Sequence, residues 1–160
     1  MPLSTRFTIL VGTMTGTAEL VAEEIRDALS PEGHAIDVRA MDGLAAGVFE
    51  RGRTYLICTS TYGQGDVPDN AMKLYDDLQQ ARPDLSGVRY GVVALGDRTY
   101  AQTFCHGGKR FDELLQALKA ERIGQVMTHD ASAGSVPEEV AVAWAEAWVE
   151  TLAARLSEAA

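Results

Sequence analysis

Gly12-Thr13-Met14-Thr15-Gly16-Thr17-Ala18-Glu19 stands between an apolar run, Phe7-Thr8-Ile9-Leu10-Val11, and an amphipathic run that extends from Glu19 to Leu29. That order makes it a strand-to-helix turn. It carries three hydroxyls and two glycines, with no basic residue. Backbone N–H and side-chain O–H groups in such a turn can wrap a phosphate, and the positive end of the helix dipole behind it favours the anion. The same residues suit a plain turn whose threonines cap a helix. The turn alone leaves both readings open.

Outward from this turn the chain alternates strand and helix, which predicts a parallel sheet with helices on both faces. Strands are expected at Arg6–Val11, Ala35–Met41, Arg53–Thr59, Tyr90–Leu95 and Ile123–Thr128. The first helix should run from Gly16 to Leu29, with Leu20, Ile25, Ala28 and Leu29 inward, and stop at Pro31 and Gly33. Another starts near Pro68–Asn70, and a long one spans Tyr100 to Ala120. The stretch Met41–Gly52 carries a poor signal for a short helix. The last helix opens at Ser135-x-x-Glu138, the spacing of a capping box, with Pro137 in its first turn. Its stripe is Val140, Trp144, Trp148, Leu152 and Leu156, and tryptophans at helical spacing read as core. Runs such as FTILV, TYLIC and YGVVAL are continuous, as strands covered on both faces are, whereas the second and fifth strands alternate more. The first, third and fourth strands are therefore central. Right-handed crossovers then give the order 2-1-3-4-5. The fold class is an α/β three-layer, doubly wound, five-stranded parallel sheet, and residues 1–160 form a single domain.

The composition narrows the function. The 160 residues are 46% hydrophobic and 23% charged, as in an ordinary single-domain protein. No run reaches membrane-spanning length, and the start leaves no room for a signal peptide, so a cytoplasmic protein is expected. The net charge of −9 argues against nucleic acid and anionic membrane surfaces and suits a basic partner found by electrostatic steering. Cys58 and Cys105 lack zinc-ligand spacing and read as free buried thiols. His34, His106 and His129 are scattered, without the spacing of metal ligands or a triad.

In an open parallel sheet, ligands bind beyond the carboxyl ends of the strands, where strand order reverses. Three loops meet there: the hydroxyl-rich turn, Ser60-Thr61-Tyr62-Gly63-Gln64-Gly65-Asp66, and Gly96-Asp97-Arg98-Thr99-Tyr100. Two tyrosines at one sheet edge offer flat surfaces to a planar aromatic ligand. Glycines beside Tyr62 let the backbone approach it closely. Neither GxGxxG nor GxxxxGK[ST] is present. Gly107-Gly108-Lys109 lies in a helical stretch and reads as a helix-packing spot. A response-regulator site would need acidic residues after the first strand and an Asp after the third, where this chain has Gly12-Thr13 and Thr59-Ser60.

With TMTGTAE, STYGQGDVPDNA and ALGDRTYAQTFCHGGKRFDELL in that order at those loops, the chain resembles a flavodoxin-like FMN protein. It is similar to the FMN domains of diflavin reductases and to standalone flavodoxins of the MioC type. The resemblance implies that Thr13, Met14, Thr15, Gly16, Thr17 and Ala18 form the FMN phosphate loop. It places Thr61, Tyr62, Gly63 and Gly65 in a second loop, with Tyr62 on one flavin face. Leu95, Gly96, Asp97, Tyr100, Phe104 and Cys105 form the third, with Tyr100 on the other face, and Asp130 lies near the flavin. Asp97 stands where many relatives have Asn.

The function so implied is electron transfer through the three redox states of FMN. Electrons come from a basic-faced NAD(P)H-flavodoxin reductase and go to a downstream redox acceptor protein, with the carrier a monomer. The alternative is an FMN-dependent NAD(P)H quinone or azo-type reductase; a further one is an interaction module that has lost its flavin.

Overall fold

The computed structural model describes residues 6–12, 16–59, 69–96, 106–130 and 136–159. Its strands are β1 (Arg6–Gly12), β2 (Ala35–Ala40), β3 (Thr54–Thr59), β4 (Arg89–Gly96), β5 (Glu121–Arg122) and β6 (Met127–Asp130). The helices are α1 (Thr17–Leu29), α2 (Asp69–Ala81), α3 (His106–Ala117) and α4 (Pro137–Ala159). Every pairing recorded between these strands is parallel. They run in the order β2-β1-β3-β4-β5, with β6 also on β4, which bears out the expected 2-1-3-4-5 sheet. All six residues of β3 are buried, while β2 alternates between half-buried and exposed, as a central strand and an edge should.

Alternation along the strands sends side chains to two cores. Phe7, Ile9, Val11, Leu56, Cys58, Val93 and Leu95 face α1 and α4. Leu10, Tyr55, Ile57, Tyr90, Val92 and Ala94 face α2 and α3. Fully burying an Ile or Leu side chain contributes about 1.5–3 kcal/mol, so these two layers dominate the stability.

Helix faces differ in part from the sequence expectation. In α1 the inward stripe is Ala18, Val21, Ala22, Ile25 and Leu29, which includes Ile25 and Leu29 as expected. Leu20, however, is 55% exposed and Ala28 is exposed. Each helical residue turns about 100° from the last, so Leu20 falls off the stripe that Val21 and Ile25 define. In α4 the buried stripe is Ala141, Ala145, Trp148, Val149 and Leu152, and Val140 is exposed. Small alanines sit inward because α4 packs close to α1 across the same core.

Trp148 is core, as its spacing suggested. Its ring meets Phe7 edge-on at a centroid distance of 5.0 Å, and its Nε1 donates to the Ile123 carbonyl at 3.0 Å. Trp144 stacks on it at 5.8 Å. That hydrogen bond also bears on the fifth strand, which is broken where Ile123–Thr128 was expected to be continuous. The edge starts earlier, at Glu121, and is interrupted at Gly124, whose φ is +70°. The Ile123 and Gly124 carbonyls go instead to Trp148 and to Arg122 Nε. The stretch Met41–Gly52 holds only a 3-10 turn at Ala46–Val48. Helix α3 ends at Ala117, with Lys119 at a φ of 78° just beyond. The part of the expected helix before residue 106, and Ser135 of the capping box, lie outside the described residues.

A polar node fixes the far end of α3. The Asp112 carboxylate accepts from Tyr90 Oη at 2.6 Å, Arg122 Nη1 at 2.7 Å and Gln116 Nε2 at 3.0 Å. Burial first, and then the Asp112 carboxylate, push the Tyr90 hydroxyl above the ordinary tyrosine range, so it remains a donor at any working pH.

Gly108 is the packing spot its sequence suggested. A Cβ there would lie 2.5 Å from the Ala94 Cβ and 3.0 Å from the Ala94 Cα. Gly108→Ala gains helix propensity of about 1 kcal/mol but overpacks against backbone, which costs about 1–3 kcal/mol. The urea midpoint should therefore fall. A midpoint at or above that of the parent would refute the close approach.

Candidate functional site

Strand order reverses between β1 and β3: α1 carries the chain from β1 to β2 on one side, while β3 leads on to β4 on the other. The crevice this creates lies beyond the carboxyl ends of the two strands. Register brings the ends level, with Gly12 opposite Thr59, Thr59 opposite Ala94, Leu95 opposite His129 and Gly96 opposite Asp130. Gly12 sits tightly. A Cβ on it would lie 2.5 Å from Thr59 Oγ1 and 3.2 Å from the Ala71 Cβ.

The helix at this crevice opens on a residue with no side chain. Gly16 caps α1 in the left-handed region, with φ 92° and ψ −6°. Its carbonyl accepts from the Leu20 N–H at 3.1 Å. The cap of α1 is thus a glycine and not one of the neighbouring threonines. That weakens the plain-cap reading of the turn and leaves the first-turn N–H groups uncovered by any side chain of the cap residue.

Of the expected site residues, Gly16, Thr17 and Ala18 lie at the start of α1, Leu95 and Gly96 at the end of β4, and Asp130 at the end of β6 beside Gly96. They converge on one edge. Ala18 is completely buried and Leu95 is 5% exposed, both in the core with α1 and α4. Thr13, Met14, Thr15, Thr61, Tyr62, Gly63, Gly65, Asp97, Tyr100, Phe104 and Cys105 lie outside the described residues. Among the described residues no group of histidine, cysteine and carboxylate side chains is arranged to hold a metal ion.

Two residues of this region escaped the sequence reading. Asn70, in the first turn of α2, donates from Nδ2 to the Val11 carbonyl at 3.2 Å and to Asp42 Oδ1 at 3.1 Å. Thr59 fills the space that Gly12 leaves. The only available signal was Asn70's place in the quoted STYGQGDVPDNA run. Nothing in that run points to partners 59 and 28 residues away.

Between α1 and α4 lies an open groove of about 340 Å³ whose lining includes Ala28, Val142 and Ala143. Glu24, Glu138, Glu139 and Glu146 line it. No ion pair to any of the four is found among the described residues.

Cys58 is a free, buried thiol directly behind the start of α1, its Sγ donating to the Ala18 carbonyl at 3.4 Å. Burial pushes the thiol up to about 12 from an ordinary 9.0.

Comparison with known proteins agrees with this geometry. A family model described as Flavodoxin matches residues 9–144. Over 147 residues the chain is 42% identical to flavodoxin YqcA of Pectobacterium carotovorum subsp. carotovorum, covering 92% of this chain and 97% of that one. It is 32% identical over 145 residues to protein MioC of Escherichia coli strain K12, covering 91% and 97%. The solved structure of the C101A mutant of a Pseudomonas aeruginosa flavodoxin superposes with a TM-score of 0.74 at 32% identity, covering 95% of this chain and 99% of that one.

The raised Cys58 pKa gives a signed expectation. A folded-state value above the unfolded one contributes stability that is intact below pH 9.0 and is lost as pH climbs towards about 12. At pH 8 the thiol is protonated and covered. In a Cys105→Ser background, iodoacetamide should leave the native protein unmodified at pH 8 and alkylate it in urea. Rapid native labelling would refute the burial of Cys58.

Proposed function

The chain belongs to the flavodoxin family and is an FMN-binding electron-transfer protein, and from that premise we propose that FMN sits beyond the carboxyl ends of β1, β3 and β4. The observation that carries this placement is the side-chain-free cap of α1, Gly16, opening a helix N-terminus at the point where strand order reverses. An anionic phosphate suits that end of α1: no side chain of the cap residue competes for the first N–H groups, and the helix dipole favours negative charge. FMN, when bound, supplies the redox chemistry, and the polypeptide supplies binding, orientation and shielding.

In this reading Thr13, Met14, Thr15, Gly16, Thr17 and Ala18 hold the phosphate through backbone N–H groups and hydroxyls. Thr61, Tyr62, Gly63 and Gly65 close one side of the isoalloxazine, and Asp97, Tyr100, Phe104 and Cys105 the other. The tyrosines exclude water from the two ring faces. Leu95 and Gly96 contribute backbone, and Asp130, level with Gly96, sets a carboxylate at the rim.

The partners would be a basic-faced NAD(P)H-flavodoxin reductase and a downstream acceptor, with the carrier monomeric and cytoplasmic. Support comes from the net charge of −9 and from the four glutamates between α1 and α4, on the helices whose N-termini flank the crevice. Among the described residues, no helix is long and apolar enough to cross a membrane.

Slow anaerobic reduction by dithionite tests the carrier reading. Flavin absorbance should decay through a transient long-wavelength band. Bleaching without that band, together with direct oxidation of NADPH by the isolated protein, would favour a two-electron reductase. Electron transfer to a basic haem protein should slow steeply as salt rises from 0.01 M, because the Debye length shrinks from about 30 Å to about 10 Å at 0.1 M. Changing Glu24, Glu138, Glu139 and Glu146 to Gln should lower the low-salt rate by about tenfold. A rate indifferent to both changes would rule out steering by this surface.

A further inference from the structure

We propose that Asn70 is a positioning residue for the cofactor: its side-chain amide clasps the first turn of α2 to the end of β1 and to Asp42, and thereby sets the spacing of the two loops that leave those elements. The proposal rests on the placement of FMN given above.

A primary amide has two N–H donors, and both of Asn70's are used. One goes to the Val11 carbonyl at 3.2 Å and the other to the Asp42 carboxylate at 3.1 Å. Val11 is one residue before Gly12, from which the hydroxyl-rich turn departs. Asn70 is the second residue of α2, and the loop carrying Thr61, Tyr62, Gly63 and Gly65 runs directly into that helix. A single amide therefore ties the root of the phosphate turn to the root of the second loop. Asp42 follows β2, so three elements are held at one point. The Val11 carbonyl also accepts from the Met41 N–H at 2.9 Å, which brings the chain after β2 to the same place.

The rest of α2 is tied along the same stripe, but to a different target. Lys73 Nζ donates to the Gly43 carbonyl at 3.5 Å, and the Asp77 carboxylate accepts from the Ala46 N–H at 2.7 Å. With Asn70 these occupy positions i, i+3 and i+7, one face of a helix. Lys73 and Asp77 bind only the segment after β2. Of the three ties, Asn70's alone reaches β1. The apolar side of α2, Ala71, Leu74 and Leu78, is fully buried, and that burial supports the helix without the clasp. Asn70 thus governs where the helix start sits more than whether the helix forms. The fit is close, since Ala71, the next residue, already stands where a Cβ on Gly12 would come within 3.2 Å. The carboxylate partner makes one of the two hydrogen bonds charge-assisted, which strengthens it over a neutral pair.

The test is FMN titration of the apoprotein, followed by flavin fluorescence, beside urea unfolding of the same apoprotein. Asn70→Ala should raise the Kd for FMN about tenfold, the scale of losing one charge-assisted and one neutral hydrogen bond. A merely structural role would lower the urea midpoint and leave the Kd of the folded apoprotein unmoved. Val88→Ala, which empties buried space at the opposite, amino end of the sheet, serves as that control. Asp42→Ala should raise the Kd less than Asn70→Ala, and Asp42→Asn, which keeps an acceptor, should stay near the parent. The double variant Asn70→Ala with Asp42→Ala should bind no more weakly than Asn70→Ala alone, because both remove the same clasp. A Kd for Asn70→Ala within about twofold of the parent, or fully multiplicative losses in the double variant, would overturn the proposal. If Asn70→Ala does not fold, Asp42→Ala against Asp42→Asn decides it, with equal Kd values counting against the clasp. A parent apoprotein that takes up no FMN would instead overturn the cofactor placement on which the proposal rests.

Discussion

The parallel pairing of β1 with β3 carries two demands that conflict everywhere except at one end. Along its length the pair must be covered on both faces, because each strand lies between helical layers and an unpaired backbone group there has no water to turn to. At its carboxyl end the chain leaves β1 for α1 in one direction and continues from β3 towards β4 in the other, so no helix covers the seam. The polar sequences that follow Gly12, Thr59 and Gly96 all leave their strands at that end. The apolar content of Ile9, Leu10, Leu56 and Ile57, all completely buried, and the polarity of the turns after Gly12 and Thr59 are therefore two consequences of one arrangement.

Close approach of helix to sheet depends on missing side chains at selected points. Gly91 leaves room for Trp148, whose indole Nε1 would lie 2.5 Å from a Cβ at that position. Gly108 does the same for α3 over Ala94. On the opposite face the alanines of α4 let it approach α1. With the helices seated so closely, the charged groups around the sheet fall into two sets. At the amino end, charged groups pair with one another: Arg89 and Arg155 with Glu121, and Arg51 with Asp84. These pairs are partly or largely exposed, and such pairs contribute little individually. The glutamates of the groove between α1 and α4 have no such neighbours among the described residues, which leaves negative potential along that groove.

The layer order was legible because it follows from burial. A continuous apolar run differs from an alternating one whatever the tertiary details, so β1, β3 and β4 could be placed centrally from residues 7–11, 54–58 and 90–95 alone. Leu20 and Val140 were misplaced for a related reason. Hydrophobicity says that a residue can be buried, but the stripe is fixed by which neighbours face it, and in α4 those are alanines that carry no strong signal. The break at Gly124 was missed because a lone glycine in a short edge run reads as a weak strand position. What redirects the backbone there is the indole of Trp148, 24 residues further on in the sequence. At the crevice, Gly16, Thr17, Leu95, Gly96 and Asp130 were legible as loop-edge residues after strands, whereas Asn70 and Thr59 were not. Their contribution lies in what they hold in place.

That distinction bears on how a fold of this kind comes to carry a cofactor site. Residues proposed to touch the flavin fall in short loop motifs, and such a motif can announce them. The residues that decide where those loops begin are subject to a different rule. Val11 contributes only a carbonyl, Gly12 only the lack of a Cβ, and Asp42 an acceptor reached from another element. None of them needs to differ from an ordinary strand-end or turn residue in composition, so no motif marks them. An arrangement that must hold two loops in fixed relation can do so with one bidentate donor only if the backbone groups it reaches are already immobile. The ladder of β1 with β2 and β3 supplies that immobility, which is why the clasp falls on the end of a central strand and not on an edge.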